Sequence, residues 1–131
     1  MSAKLLDTNL IIRFFLNDNP PQAEAVQRIL ESEHEELILT DVSLAEIIWV
    51  LTSYYKAPKS EVVNKLLDLL TLETIHANKQ VLYRALFLYK SFNIDFIDAY
   101  LGAFAEKEGI KSIYSYDKDF DKIKSLKRKE P

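Results

Sequence analysis

The sequence contains no cysteine and only two glycines among its 131 residues. Without cysteine, a disulfide, a zinc–thiolate site, an iron–sulfur cluster and a thiol nucleophile are all excluded. Two glycines are too few for a glycine-rich phosphate loop. Apolar stretches such as residues 47–51 are far shorter than the ~20 residues that span a bilayer, and the first residues show no signal-peptide pattern. We therefore expect a cytoplasmic protein that does not cross a membrane.

The composition fits one globular domain, which we expect to comprise residues 1–131. Hydrophobic residues make up 48% of the chain and charged residues 28%, so a core can form without disulfide or metal support. The net charge of −3 argues against broad electrostatic attraction to nucleic acid. The last ten residues are basic, with Glu130 as their acid. A solvated tail is the favoured interpretation of this segment, and a phosphate-contacting role is the alternative.

Short apolar segments alternate with helical patterns along the chain. A short buried strand is predicted at residues 4–7, and further strands are predicted at residues 36–40, 73–75 and 111–115. Helices are predicted at residues 10–16, 21–33, 41–55, 60–70, 77–92 and 95–108. This alternation is typical of a parallel sheet that is covered by helices on both faces. Ligands of such folds gather at the carboxyl ends of the strands.

Four acidic residues stand near the end of a predicted strand or the start of the following helix: Asp7, Glu46, Asp98 and Asp117. Most have an ordinary structural explanation as well. Asp7 heads the polar turn Asp7-Thr8-Asn9 and could cap the next helix, as could Asp117 after the last strand. Asp95 could be the N-cap of the last long helix, with Asp98 in its first turn.

Glu46 is the only charged residue in the apolar stretch 42–51. The pattern predicts a buried helix, and buried carboxylates are rare unless they are paired or bound to a metal. The alternative is a capping box, in which Glu46 accepts a hydrogen bond from the amide of Ser43.

The positions of these acids favour a shared cation. The ends of parallel strands converge on one edge of a sheet, so the four carboxylates are expected close together. Several carboxylates within a few ångströms cannot all remain ionised without a cation. Oxygen ligands of this kind suit a hard divalent ion such as Mg²⁺ or Mn²⁺.

The same residues, taken in order, resemble the PIN domain and, more closely, the toxin nucleases of VapBC toxin–antitoxin modules. The resemblance is carried by Leu6-Asp7-Thr8-Asn9, the lone Glu46, Asp98-Ala99, and Ser115-Tyr116-Asp117-Lys118-Asp119-Phe120. It implies a three-layer α/β/α fold around a short, mainly parallel central sheet. It also implies a Mg²⁺-dependent ribonuclease, with Mn²⁺ as a substitute, that hydrolyses RNA phosphodiester bonds.

The resemblance further implies roles for individual residues. The metal-binding and catalytic quartet comprises Asp7, Glu46, Asp98 and Asp117, with Asn9, Ser115 and Asp95 in support. It implies three partners: an RNA substrate, a cognate antitoxin and a second copy of the chain. The predicted helix 41–55 has more apolar faces than one sheet can cover, so Trp49 and Tyr54 are candidates for a homodimer or antitoxin surface, and an ordinary buried helix is the alternative. Two alternatives stay open. One is a PIN nuclease of RNA processing or decay without an antitoxin, and the other is a catalytically silent interaction module whose acids only cap helices.

Overall fold

The structure is a computed structural model that describes residues 2–131. The chain divides into two compact units, one ending at Lys79 and the other comprising residues 80–131. The strands are short, and each pairs in parallel with a neighbour. They are β1 (Lys4–Leu5), β2 (Leu37–Ile38), β3 (Ile75–His76), β4 (Ser112–Tyr114) and β5 (Lys127–Lys129). The predicted α/β class with parallel strand pairing is therefore confirmed.

The first unit contains a three-stranded sheet in the order β1-β2-β3. Its register pairs Lys4 with Leu37, and Leu37 with Ile75. Its helices are α1 (Thr8–Leu16), α2 (Pro20–Leu30), α3 (Asp41–Trp49) and α4 (Lys59–Leu70). Buried apolar side chains from strands and helices form the core of this unit, among them Ile11, Leu37, Leu44, Leu66 and Ile75.

The first helix begins earlier than predicted. Thr8 and Asn9, expected in a polar turn, form the first residues of α1. The helix ends at Asn17, which adopts the left-handed conformation that asparagine tolerates. The following helix starts from Asn19, whose side chain accepts a hydrogen bond from the amide of Gln22, and proline occupies its first helical position.

The single helix predicted at residues 41–55 is interrupted. Regular α-helix ends at Trp49, and residues Val50–Tyr54 form a π-helical turn, in which the amide of Tyr55 donates to the carbonyl of Val50. The Thr52 hydroxyl donates to the Ile48 carbonyl at 2.7 Å, and such a bond disturbs the regular helical ladder. Apolar periodicity carries no signal for this change of hydrogen-bond register.

The first strand was predicted to be buried, and this prediction is wrong. Both of its residues are exposed, and the Leu5 side chain is 74% exposed. The Lys4 ammonium group pairs with Glu35 at 2.9 Å. Apolar residues at strand positions indicate burial only on average, because folded surfaces also contain many apolar atoms.

Helix α5 spans Lys79–Ser91, and all of it except Lys79 belongs to the second unit. The second unit also contains α6 (Phe96–Glu108) and the two-stranded β4–β5 sheet. Helix α6 ends at Gly109, with φ at 70°, as the sequence predicts. A 3₁₀-helix at Lys118–Lys122 follows β4. Gly102 allows α6 to approach Ile123 closely, because a Cβ atom there would stand 2.7 Å from the Ile123 Cδ1 atom.

Strand β5 was missed by sequence analysis, which assigned its residues to a solvated tail. Its side chains, Lys-Arg-Lys, give no apolar alternation. The strand exists because its backbone pairs with β4, and Ser112 lies opposite Lys127. Within residues 2–131, none of the helices is long and apolar enough to cross a bilayer.

Candidate metal centre

Three carboxylates meet in the second unit. Asp98, Asp117 and Asp119 each offer one carboxylate oxygen, and the three oxygens lie within 4.8 Å of one another. Asp98 and Asp119 are half-buried, whereas Asp117 is exposed. We call these residues the aspartate cluster. It lies where the first turn of α6 meets the segment that follows β4.

Local hydrogen bonds fix the segment that carries Asp117. The Ser115 hydroxyl accepts a hydrogen bond from the Asp117 amide at 2.9 Å. The Asp117 carboxylate in turn accepts one from the Asp119 amide at 2.9 Å, so it caps the 3₁₀-helix. The capping role that the sequence left open for Asp117 is therefore present. The capping hydrogen bond uses one carboxylate oxygen of Asp117, Oδ1, and the second oxygen can bind another partner.

Asp98 is electrostatically unusual. Partial burial and the negative charge of Asp117 raise its pKa to about 6, with smaller contributions from Asp95, a hydrogen bond to Asp117, and Asp119. Below a pH of about 6, this carboxyl group therefore keeps a proton that an ordinary aspartic acid would have released. A cation placed among these carboxylates would remove the repulsion that holds the proton there.

The donors of the cluster fit a hard divalent cation. All three are carboxylate oxygens, the ligand type that Mg²⁺ and Mn²⁺ prefer. Lys122 supplies part of the compensating charge, because its ammonium group lies 3.0 Å from Asp119 Oδ1 and 2.9 Å from the Asn93 carbonyl. The net charge of the three ionised acids and this lysine remains negative, which favours a cation.

Asp119 is the member of the cluster to which the sequence analysis assigned no role. It follows Asp117 by two positions, and the tight 3₁₀ turn brings both side chains to the same place. An Asp-x-Asp spacing directly after a strand is the signal that could have identified it. Asp95, proposed as a supporting residue, occupies the N-cap position of α6. Among residues 2–131, the carboxylates that lie close enough together to share a cation do not include the Asp95 carboxylate.

The remaining sequence-predicted residues belong to the first unit. Asp7 is exposed at the N-cap position of α1, and Asn9 is exposed in the first turn of that helix. Within the described part of the chain, the Asp7 side chain makes no capping hydrogen bond to α1. Its carboxylate is therefore not used for the structural role that the sequence left open.

The burial predicted for Glu46 is wrong, and so is its alternative role in a capping box. Glu46 is exposed on α3, on the same face as the exposed Val42 and Trp49, which are spaced four and three residues from it. The N-cap of α3 is Thr40, whose hydroxyl accepts a hydrogen bond from the Ser43 amide at 3.1 Å. In a capping box, the same Ser43 amide would donate to the Glu46 carboxylate.

Comparisons with known proteins identify the family of this chain. The family model of the PIN domain matches residues 4–126. The VapC ribonuclease of Aquifex aeolicus (strain VF5) is 25% identical over 124 residues, which cover 92% of this chain and 91% of that protein. The resemblance found in the sequence and the PIN-like α/β fold that it implied are thereby confirmed. This chain belongs to the PIN domain family.

Proposed function

We propose that this protein is a metal-dependent endoribonuclease that hydrolyses RNA phosphodiester bonds. The observation that carries the proposal is the aspartate cluster, in which three carboxylate oxygens lie within 4.8 Å of one another. Membership of the PIN family supports the nuclease class, and the relative named VapC ribonuclease supports RNA as the substrate.

We propose two groups of residues for the site. Asp7, Glu46, Asp98 and Asp117 are the metal-binding and catalytic acids, and Asn9, Asp95 and Ser115 support them. The proximity of Asp98 and Asp117 supports their assignment, and Asp119 joins them on the same ground. The resemblance to the family supports Asp7 and Glu46, and both have exposed carboxylates.

The chemistry that this chain supplies follows from its charges. Asp98 would hold a cation in its ionised form, and Asp117 is held in position by the Ser115 hydroxyl, which accepts from its amide. The acids concentrate negative charge, which by itself would repel RNA and which a cation offsets. Mg²⁺, or Mn²⁺ in its place, would supply the charge that lowers the pKa of an attacking water and stabilises the transition state.

We further propose that the two units form one nuclease domain, residues 1–131, and that the protein is the toxin of a type II toxin–antitoxin pair in the cytoplasm. A family match that runs through both units supports the single domain. The VapC relative, aligned over nearly the whole of both chains, supports the toxin role. Growth arrest on expression, relieved by a protein encoded beside it, tests that role. A nuclease of RNA processing would cleave RNA without such a partner.

We propose that the protein forms a homodimer through the exposed aromatic side chains of Trp49, the last residue of α3, and Tyr54, in the π-helical turn after it. The Trp49 side chain is 66% exposed and that of Tyr54 is 74% exposed. Large exposed aromatic side chains are enriched at protein interfaces.

Cleavage of a mixed RNA pool with mapped product ends tests the proposed activity. Purified protein is incubated with the pool in Mg²⁺ and, in parallel, in a chelator. We expect discrete internal cuts in Mg²⁺ alone. Cleavage that is equally fast in the chelator would contradict a metal-dependent nuclease.

A further inference from the structure

Two tyrosines directly before Asp117 expose most of their side chains. Tyr114 is 75% exposed and Tyr116 is 70% exposed. Exposed and half-buried side chains alternate along residues 112–116. The exposed face of this segment comprises Tyr114, the last residue of β4, and Tyr116, which lies at a bend two residues beyond the strand.

Basic side chains of β5 complete this face. In the β4–β5 pair, Tyr114 lies opposite Lys129 and Ser112 lies opposite Lys127. Paired residues of neighbouring strands point to the same side of a sheet, and both lysines are exposed. Arg128 points the other way and is half-buried, where it binds Asp121 and the Ser115 carbonyl. We call Tyr114, Tyr116, Lys127 and Lys129 the tyrosine–lysine face.

The chemistry of this face matches single-stranded nucleic acid. Aromatic side chains provide surfaces on which bases stack, and lysines beside them attract the phosphates. The positive charge is local, because the protein as a whole carries a net charge of −3. A duplex offers no free base face for stacking, so the combination favours an unpaired strand.

Two hydrogen bonds of Ser115 connect the tyrosine–lysine face to the aspartate cluster. The Ser115 amide donates to the Lys129 carbonyl at 3.0 Å, which joins the strands at the end of the face. The Ser115 hydroxyl accepts from the Asp117 amide at 2.9 Å. A base stacked on Tyr116 would therefore lie beside the residue that begins the cluster, and the scissile phosphate would follow in the same strand.

We propose that the tyrosine–lysine face binds single-stranded RNA next to the scissile bond, with bases on Tyr114 and Tyr116 and phosphates on Lys127 and Lys129. This inference rests on the proposed nuclease function and assigns it a substrate-binding surface. These residues position the strand and take no part in the chemical step.

Binding is measured apart from cleavage, in an Asp98→Asn background, by fluorescence anisotropy with labelled single-stranded RNA of about ten nucleotides. Tyr114→Ala or Tyr116→Ala should weaken binding about 5- to 100-fold, and the matching phenylalanine variants should restore it, because stacking needs only the ring. Lys129→Ala should reduce the slope of log affinity against log salt by about 0.7.

Tyr83→Ala and Lys124→Ala are the matched controls, since both residues are exposed in the second unit and belong to neither β4 nor β5. Both controls should bind RNA as the background protein does. A second readout is the fluorescence of 2-aminopurine in the RNA, which stacking quenches. The quenching should disappear in Tyr116→Ala and remain in Tyr116→Phe.

The outcomes separate this inference from the proposed function. Tyrosine-dependent RNA binding without any cleavage by the wild-type protein would contradict the nuclease function and support the surface. Normal cleavage together with unchanged RNA binding in both alanine variants would overturn the proposed RNA-binding surface and leave the nuclease function standing. Unchanged RNA binding with an altered sedimentation coefficient would assign the face to protein association, and would equally overturn it.

Discussion

A carboxylate oxygen of Asp98 lies within 4.8 Å of a carboxylate oxygen of Asp117, where the first turn of α6 meets the segment after β4. Partial burial and repulsion by the Asp117 carboxylate raise the pKa of Asp98 to about 6. A divalent cation and the Asp98 proton compete for the same oxygens. The stability of the second unit and its metal binding are therefore expected to be linked through Asp98.

Asp98→Asn should stabilise the protein in the absence of metal at pH 7. In the folded state the pKa of Asp98 is about 6, against an ordinary value of 3.8. Between these values the folded state holds a proton that the unfolded chain has released, so the contribution of Asp98 to stability is present at low pH and is lost as pH rises through about 6. Asparagine does not ionise and avoids this loss.

Thermal unfolding in a chelator from pH 4 to pH 8 measures this effect. The melting temperature of Asp98→Asn should exceed that of the wild type at pH 7, and the difference should close toward pH 4. Glu24→Gln, which removes an exposed acid from α2, is the control and should show no such trend. A variant that melts at or below the wild type at pH 7 would show that Asp98 carries no unfavourable charge.

Mg²⁺ or Mn²⁺ should raise the melting temperature of the wild-type protein. Binding to the folded state alone stabilises it by RT ln(1 + [L]/Kd), which is about 2.7 kcal/mol at one hundred times Kd. Asp117→Asn should remove most of this response, while Glu24→Gln retains it. The response should also weaken below the pKa of Asp98, about 6, because protons then occupy the site. An equal response in wild type and Asp117→Asn would place the metal elsewhere.

Thr40→Ala and Glu46→Gln should separate stability from activity. Thr40 caps α3 through its hydroxyl, and its loss should lower the free energy of unfolding by about 1 kcal/mol with cleavage unchanged. Glu46 is exposed, so glutamine should preserve stability while removing the charge that a metal ligand needs. Chemical denaturation and cleavage rates measure the two effects. A Glu46→Gln protein that cleaves RNA nearly as fast as the wild type would remove this residue from the catalytic acids.

Trp49→Arg should convert the proposed homodimer to a monomer. The side chain is largely exposed, so the substitution should leave the free energy of unfolding of an isolated chain nearly unchanged. Burial of an arginine charge at the interface would oppose association. Sedimentation velocity at rising protein concentration tests this prediction, with Tyr83→Ala as the control. A wild-type protein that remains monomeric at high micromolar concentration would contradict the dimer.

Much of the fold could be predicted from the sequence because its signals are local. Gly109 ends α6, and parallel pairing follows from the alternation of short strands with helices. The missed features depend on the backbone. The π-helical turn after Trp49 is a change in hydrogen-bond register, and β5 pairs through its main chain while its side chains are all basic. Neither leaves a pattern of apolar residues.

The candidate site was likewise predicted only in part. The proximity of Asp98 and Asp117 could be expected from the sequence, because both stand at the start of a helix, whereas their role in the site stays a prediction. Asp119 was not predicted, because its carboxylate comes close to that of Asp117 only through the tight 3₁₀ turn. Glu46 was expected to be buried because its neighbours are apolar, yet Val42 and Trp49 share its exposed face. Counting apolar neighbours along the chain does not determine which face of a helix meets solvent.

The most direct test of the central claim is the single-turnover rate at which the protein cleaves one defined RNA. The rate is measured for the wild type, Asp117→Asn and Glu24→Gln, each in saturating Mg²⁺ and in a chelator. We expect wild type and Glu24→Gln to cleave in Mg²⁺ alone, and Asp117→Asn to be slower by at least about a hundredfold, because even residues that only support a metal ligand cost 10- to 100-fold. Folded Asp117→Asn that cleaves at the wild-type rate, or wild type that cleaves in the chelator, would contradict it.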